Sequence, residues 1–459
     1  MTTITRVIAA PGTAGCFVED LTALQSRPID PADRYITPGV TPGFDTIRQP
    51  AETVSVGLVL DSGQIAWGDC VSVAYGGKAG RASVFSAREG LITVLEQIAP
   101  FLEGKKLSGF RQITTEVDDL TEDVQVERTL SQPEQGQDLT RRELFQSAAR
   151  LFNDQPPTRQ ETVTKLIHPG IRYGVSQALL AAVALDRKIS RCQVICQEWD
   201  LPLPDRPVPL HAQCGRNRFA GVDKMIAHRV DSLPHALVDN LPEQMGDEAV
   251  NLIRYTRWIR KRIQDRGADG YHPTIHLDVH GALGLIYNQD LGRILGSLYA
   301  LEKAAEPYSL RIECPLIMET REEQIEAMTT LREYLDFRRM KVQLVTDEWA
   351  NTLEDIQAFL NQRAGHMIQI KPPDLGSLHN SVDAVLACKN HQTSAFLGGS
   401  CAETDLSARA SVHLALATRP ALIMAKPGLG IDEGISLITN ETNRTLRSLQ
   451  LNFDQETGS

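Results

Sequence analysis

The sequence predicts an α/β fold, a TIM-type (β/α)8 barrel in the C-terminal half preceded by an N-terminal α+β domain. Three observations carry that prediction. From residue 208 onward, short apolar runs alternate with stretches of helical period, and about eight of the runs read as strands. Three of them end near a carboxylate and a fourth ends in a lysine: Asp278 in TIHLDVHG, Glu313 in SLRIECPL, Asp347 in VQLVTDEWANT and Lys371 in HMIQIKPPDLG. These four lie 35, 34 and 24 residues apart, each time room for a strand, a loop, a helix and a return, which brings strand ends to one face of a parallel barrel. Finally, 459 residues exceed what one core usually holds, so an additional domain is expected.

Taken in order, residues 1 to about 70 are β-rich. Val54, Val56, Leu58 and Leu60 alternate with Thr53, Ser55, Gly57 and Val59, and Asp61-Ser62-Gly63 turns the chain back into Gln64-Ile65-Ala66-Trp67, a hairpin with one buried face. The glycine-rich stretch YGGKAGRAS, residues 75–83, lacks the Lys-Ser/Thr ending of a P-loop and reads as a lid or loop near a pocket. GLITVLEQIAPFLE (90–103) has helical spacing interrupted by Pro100. Residues 115–161 are polar and charge-dense and predict a surface excursion, with one amphipathic helix in LTRRELFQSAARLF.

GIRYGVSQALLAAVALDRK (170–188) predicts a tightly packed helix, and the proline-rich LPLPDRPVP (201–209) a linker. The domains are therefore drawn as 1–205, carrying the insertion at 115–161, and 206–459. Within the second, VPLHAQCG, SLPHALV, TIHLDVH, SLRIECPL, VQLVTDE, HMIQIKP, SAFLGGS and ALIMAKP supply the strands. The helix EAVNLIRYTRWIRKRIQDRG ends at Gly267, and Thr352-Leu353-Glu354-Asp355 offers a capping-box start for TLEDIQAFLNQR.

Composition narrows the function. A net charge of -11 argues against non-specific nucleic-acid binding, which needs a basic surface. The eight cysteines are scattered, and Cys192 and Cys196 have three intervening residues rather than the two of a redox or zinc-ribbon motif, so buried thiols in a reducing compartment are expected. The first residues lack a charged n-region and a long apolar h-region, and no apolar run has membrane-spanning length, so a cytoplasmic protein without membrane partners is expected.

The chemistry lies at the strand ends. In HMIQIKPPD, alternation puts Gln369 and Lys371 on one face and both isoleucines on the other. Asp278, Glu313 and Asp347 offer hard oxygen ligands, a set that favours Mg²⁺ or Mn²⁺ over Zn²⁺. Any one of them alone would read as an ion-paired acid, and Lys371 alone as a buried structural ion pair. Together they suit removal of a weakly acidic proton beside a carboxylate, with the metal spreading the enediolate charge and a positioned lysine or histidine as base. His235, on an earlier strand, would reach the same mouth from the other side.

Asp-Glu-Asp on successive strands followed by a strand-end lysine resembles the enolase superfamily. The words GDC (68–70), RYGVSQALL, VDKMI, LPHAL, YHPTIHLDV, DEWANT, HMIQIKPPDLG, HNSVDAVL, GGSCAET and KPGLGIDEG resemble methylaspartate ammonia-lyases over most of the chain. The resemblance implies an α+β capping domain over a modified (β/α)8 barrel, a homodimer, Mg²⁺ at Asp278, Glu313 and Asp347, and K⁺ as activator. It further implies that Lys371 takes the C3 proton of the (2S,3S) amino-acid substrate. His235 would then lie on the opposite face, available as base for the other C3 epimer. Gln369 would touch the β-carboxylate, with Gln213 and the Ser400-Cys401 turn on the α-carboxylate. Departures from the pattern are Ala74 where the family has a glutamine, Ser400 where it has threonine, and Met424 where it has leucine; Ala74 and Met424 are taken as pocket residues that tune what is accepted. The alternatives are an acid-sugar dehydratase, a lactonising enzyme or a racemase of the same superfamily, or a non-catalytic relative. Those of lactonising and racemase type carry a Lys-x-Lys motif that VPLHAQCG lacks.

Overall fold

The computed structural model describes residues 2–26, 29–129, 158–215, 217–236, 238, 241–400, 402–425 and 430–457. The chain divides into a large unit, Met1–Val117 with His168–Ser459, and a small one, Asp118–Ile167.

In the large unit, β1 (Ile4–Glu19), β2 (Arg48–Leu60) and β3 (Ile65–Cys70) form an antiparallel sheet. The predicted hairpin joins β2 to β3 with Val54 opposite Cys70 and Val59 opposite Ile65, and Gly63 takes the left-handed φ of +80° that its turn requires. The helix Pro169–Arg187 lies on this sheet. It approaches closely because both contact positions are glycine: a Cβ on Gly68 would stand 2.2 Å from the Gly174 carbonyl oxygen. Gln177 then donates to the Asp69 carbonyl at 2.9 Å, fastening helix to strand. In the 90–103 segment a π-helical turn at Val94–Ile98 precedes the last helical piece, Ala99–Leu102, in whose first turn Pro100 is accommodated.

All eight predicted barrel strands form: β6 (Leu210–Gly215), β7 (Ser232–Ala236), β8 (Thr274–Asp278), β9 (Leu310–Glu313), β10 (Gln343–Thr346), β11 (Met367–Ile370), β12 (Ser394–Leu397) and β13 (Leu422–Ala425). They pair in parallel in sequence order, and β13 pairs with β6 to close the barrel. Helices follow the strands, among them Val250–Arg266 and Leu353–Asn361, the latter started by the predicted capping box between Thr352 and Asp355. Side chains of alternate residues fill the barrel, beginning with an apolar cluster of Val345, Met367, Phe396, Leu422 and Met424.

The small unit contains an antiparallel ribbon of β4 (Thr121–Thr129) and β5 (Thr158–Leu166), with Val124 opposite Val163. The sequence predicted an excursion here, not this ribbon, although DVQVER carries the period-two signal. The amphipathic helix expected within 139–152 lies outside the described residues.

Candidate active site

Alternation along the barrel strands delivers the site. On β8 and just past it, His276, Asp278 and His280 are two residues apart and all buried; Glu313 ends β9, Asp347 follows β10, and Gln369 and Lys371 stand on and after β11. Gln213 on β6 pairs in register with His235 on β7. In a closed ring of eight strands, β7 and β11 are four places apart, so His235 and Lys371 enter from opposite sides.

The contacts between them are short. Lys371 Nζ lies 2.6 Å from Asp347 Oδ1, and Gln369 Nε2 donates to Glu313 Oε1 at 2.6 Å. His235 Nε2 is 3.1 Å from Asp278 Oδ2, and His276 Nε2 is 2.7 Å from Glu313 Oε2. His280 Nε2 lies 3.2 Å from Asp278 Oδ2 without the alignment of a hydrogen bond. Below, His211 and His276 stack at 4.4 Å between centroids, with Phe396 edge-on to both.

A buried arginine closes the other side. Arg81, from the 75–83 loop, places Nε 2.9 Å from Asp374 Oδ2 and Nη2 3.4 Å from Asp347 Oδ1, and pairs Nη1 with Glu348. Gly80 lets the loop sit on Trp349: with φ +75°, a Cβ there would stand 2.9 Å from the indole ring. Asn351 donates to the Ala79 carbonyl at 2.7 Å. The predicted pocket loop is thus a plug pinned to the ends of the barrel strands.

Burial opposes every charge in this cluster, so each group's state depends on its partners. Burial raises the pKa of Glu313 strongly, and the charges of Asp278 and Asp347 raise it further. Burial pushes Asp278 the same way, but His280, His235 and Lys371 reverse it and hold the acid well below the usual carboxylate range. For Lys371, burial and Arg81 disfavour the ammonium, yet Asp347, Glu348 and Asp374 outweigh them and raise its pKa.

The donors suit a divalent cation. Five buried acids, Asp278, Glu313, Asp347, Glu348 and Asp374, surround two strong bases, Arg81 and Lys371. Asp347 Oδ2 and Gln369 Oε1 are buried without a hydrogen-bond partner. Ligand-capable atoms lie within 4.8 Å of one another in two groups that share Asp278: His235, Asp278 and Glu313, and Asp278, His280 and Asp347. The three predicted acids are therefore brought together, but histidines flank them, which the all-oxygen expectation did not include. A third group, His211, His235 and His276, is all histidine and holds none of the three predicted acids.

Of the remaining predicted residues, Ala74 and Ser400 meet: the Ala74 N–H donates to the Ser400 carbonyl at 2.8 Å, and both are buried. Met424 packs in the apolar cluster of the barrel interior at 1% exposure. Cys401 lies outside the described residues. Cys70, Cys192, Cys196, Cys214, Cys314 and Cys388 are buried free thiols. A cavity of about 330 Å³ opens beside His280, lined also by Lys78, Met318 and Trp349. Sequence reasoning missed Arg81, Glu348, His211, His276 and His280. The alternation His276-x-Asp278-x-His280 was a legible signal for two of them; Arg81 gave none, since its partners are remote in sequence.

Among the described residues no helix is long and apolar enough to cross a membrane. Models of the methylaspartate ammonia-lyase N-terminus and C-terminus match residues 2–200 and 202–451. A methylaspartate ammonia-lyase of Carboxydothermus hydrogenoformans is 40% identical over 448 residues, 97% of this chain and 98% of the relative. The solved methylaspartate ammonia lyase of Citrobacter amalonaticus containing (2S,3S)-3-methylaspartic acid is 37% identical with a TM-score of 0.85, covering 98% of this chain and 100% of that one. The Mg complex of Clostridium tetanomorphum β-methylaspartase is 35% identical at a TM-score of 0.82, with the same coverage. These likenesses favour neither the dehydratase, lactonising and racemase readings nor a non-catalytic relative. With both family models spanning nearly the whole chain and the acids, lysine and histidine gathered in one barrel mouth, the chain belongs to the methylaspartate ammonia-lyase family of carbon–nitrogen lyases.

Proposed function

We propose that this chain eliminates ammonia reversibly from (2S,3S)-3-methylaspartate to give mesaconate, with Mg²⁺ as cofactor. The observation that supports it most is the opposed placement of Lys371 and His235 around Asp278, Glu313 and Asp347. The relatives solved with the amino acid and with Mg point the same way.

In the forward direction, Lys371 Nζ, once its ammonium has given up its proton, takes the proton from C3. The electron pair of that C–H bond forms the C2–C3 double bond, and the C2–N pair leaves with ammonia. A divalent cation held by Asp278, Glu313 and Asp347 would supply positive charge to the carboxylate beside C3. Gln369, already aimed at Glu313, would orient the same carboxylate, and Gln213 with Ser400 and Cys401 the other. K⁺ activation, a homodimer and a cytoplasmic location belong to the same reading and rest on the family resemblance.

Ala74 bears on the amine. Where a glutamine side chain would donate or accept, this chain presents a methyl group whose backbone is tied to Ser400. A neutral hydrogen bond contributes roughly 0.5–1.5 kcal/mol, up to about tenfold in affinity. We infer weaker ammonia binding or acceptance of larger amines, with Met424 packing the barrel interior behind the pocket.

The test is the absorbance of mesaconate formed from (2S,3S)-3-methylaspartate, with and without Mg²⁺. Mg²⁺-dependent product is expected; metal-dependent turnover of a sugar acid without mesaconate would overturn the reading. In the reverse addition, ethylamine should compete with ammonia, and strict preference for ammonia at ordinary affinity would sink the amine inference.

A further inference from the structure

Three buried histidines line Asp278 and Glu313, and two of them are engaged. His235 places Nε2 3.1 Å from Asp278 Oδ2 and Nδ1 3.3 Å from His211 Nε2, and His276 Nε2 lies 2.7 Å from Glu313 Oε2. His280 differs: among the described residues neither of its ring nitrogens has a hydrogen-bond partner, although only 3% of the residue is exposed. A buried imidazole without partners is costly, so its place needs a reason. Nothing in the proposed reaction uses it.

The backbone fixes that place. His280 takes a left-handed φ of +43°, a conformation uncommon outside glycine. Its N–H donates to Asp278 Oδ1 at 3.1 Å, its carbonyl accepts from Gln25 Nε2 at 3.0 Å, and its ring stands edge-on to Tyr75 with 5.1 Å between centroids. The result sets Nε2 3.2 Å from Asp278 Oδ2, yet without the alignment of a hydrogen bond. Two neighbouring ligands of one ion have this arrangement: around an octahedral cation with bonds of about 2.1 Å, adjacent donors stand about 3.0 Å apart. Asp347 completes the group, with ligand-capable atoms of all three residues within 4.8 Å of one another and Asp347 Oδ2 buried without a hydrogen-bond partner.

We propose that His280 is a nitrogen ligand of the divalent cation, beside Asp278 and Asp347, and that it tilts the site toward Mn²⁺ and Co²⁺ relative to Mg²⁺, a reading that deepens the metal site of the function proposed above and rests on it. Imidazole nitrogen is a softer donor than carboxylate oxygen. It suits first-row transition ions, whereas Mg²⁺ is held by carboxylates, carbonyls and water. The carboxylates hold either kind of ion, and His280 adds to the hold on one kind.

The experiment is electron spin echo spectroscopy of Mn²⁺ bound to the amine-free protein, with binding titrations of Mn²⁺, Co²⁺ and Mg²⁺, on wild type, His280→Ala, His280→Phe and His235→Ala. Wild type should show the coupling of a directly bonded histidine nitrogen. Both His280 variants should lose it and bind Mn²⁺ and Co²⁺ roughly tenfold or more weakly, while Mg²⁺ binding weakens less than about threefold. His280→Phe keeps a ring against Tyr75 and so separates ligation from packing. His235→Ala should keep the coupling, because the His235 nitrogens are taken up by Asp278 and His211. No coupling from Mn²⁺ bound to wild type, coupling that survives in both His280 variants, or Mn²⁺ and Mg²⁺ weakened by one factor would overturn the proposal and leave the function intact. Failure of wild type to bind either ion would instead overturn the metal site on which that function depends. Should His280→Ala fail to fold, His280→Phe and the wild-type echo decide.

Discussion

At Lys371 and Arg81, two cations share one carboxylate oxygen, Asp347 Oδ1, from 2.6 and 3.4 Å. They are not interchangeable. On the proposed mechanism Lys371→Ala takes away the C3 base and should lower kcat for (2S,3S)-3-methylaspartate about 10²–10⁴-fold, the usual worth of a positioned base, while mesaconate's absorbance still reports residual turnover. Arg81→Gln instead leaves Asp347, Glu348 and Asp374 without their shared guanidinium. Breaking one buried pair costs about 3–5 kcal/mol, so denaturant unfolding should show a loss of at least that order. Ala74→Gln acts on affinity alone: the KM for ammonia in the reverse reaction should fall up to about tenfold, and ethylamine should be rejected. Sequence made some of these residues legible and hid others. Lys371 and the three acids were visible because each ends an apolar strand. Arg81 was invisible because nothing near it in the chain reveals the three carboxylates it meets. Met424, read as a pocket residue, packs among Val345, Met367 and Phe396 in the barrel interior.

The elements were legible wherever one period dominated. The barrel strands are short, with apolar residues on both faces, and turn signals bound them. The ribbon of β4 and β5 went unnoticed because its polar composition outweighed its alternation. The segment around Pro100 shows the opposite case, a proline read as a break that the helix absorbs after a π turn. Packing between helices carries its own electrostatics. Glu441 on the helix Ile431–Thr457 binds Arg409 Nη1 at 2.6 Å and His413 Nε2 at 3.2 Å, both on the helix Asp405–Thr418. The His413 bond first, against burial, and then Arg409 lower its pKa to about 2. A depressed acid contributes stability above its unfolded value of about 4.3, lost as the pH falls through the folded value. The melting-temperature gap between wild type and Glu441→Gln should therefore be full above pH 5 and close as the pH falls toward about 2.

For the whole molecule, the surplus of buried acid links metal binding to folding. A cation that binds only the folded chain stabilises it by about 2.7 kcal/mol at a hundred times its dissociation constant. Mg²⁺ should accordingly raise the melting temperature in a concentration-dependent way, and Asp347→Asn should abolish most of the rise; an unchanged response would count against Asp347 as a ligand.

The bonds of Arg81 have one more consequence. They join residues 266, 267 and 293 positions apart, so each closes a long loop of chain before it contributes. Contacts absent from the folding transition state govern how slowly a native protein comes apart rather than how fast it assembles, and we expect the Arg81 bonds to be of that kind. Arg81→Gln should speed unfolding and leave the refolding rate nearly untouched. On that outcome the plug over the barrel mouth is a kinetic latch, set at the residue that shares Asp347 with Lys371.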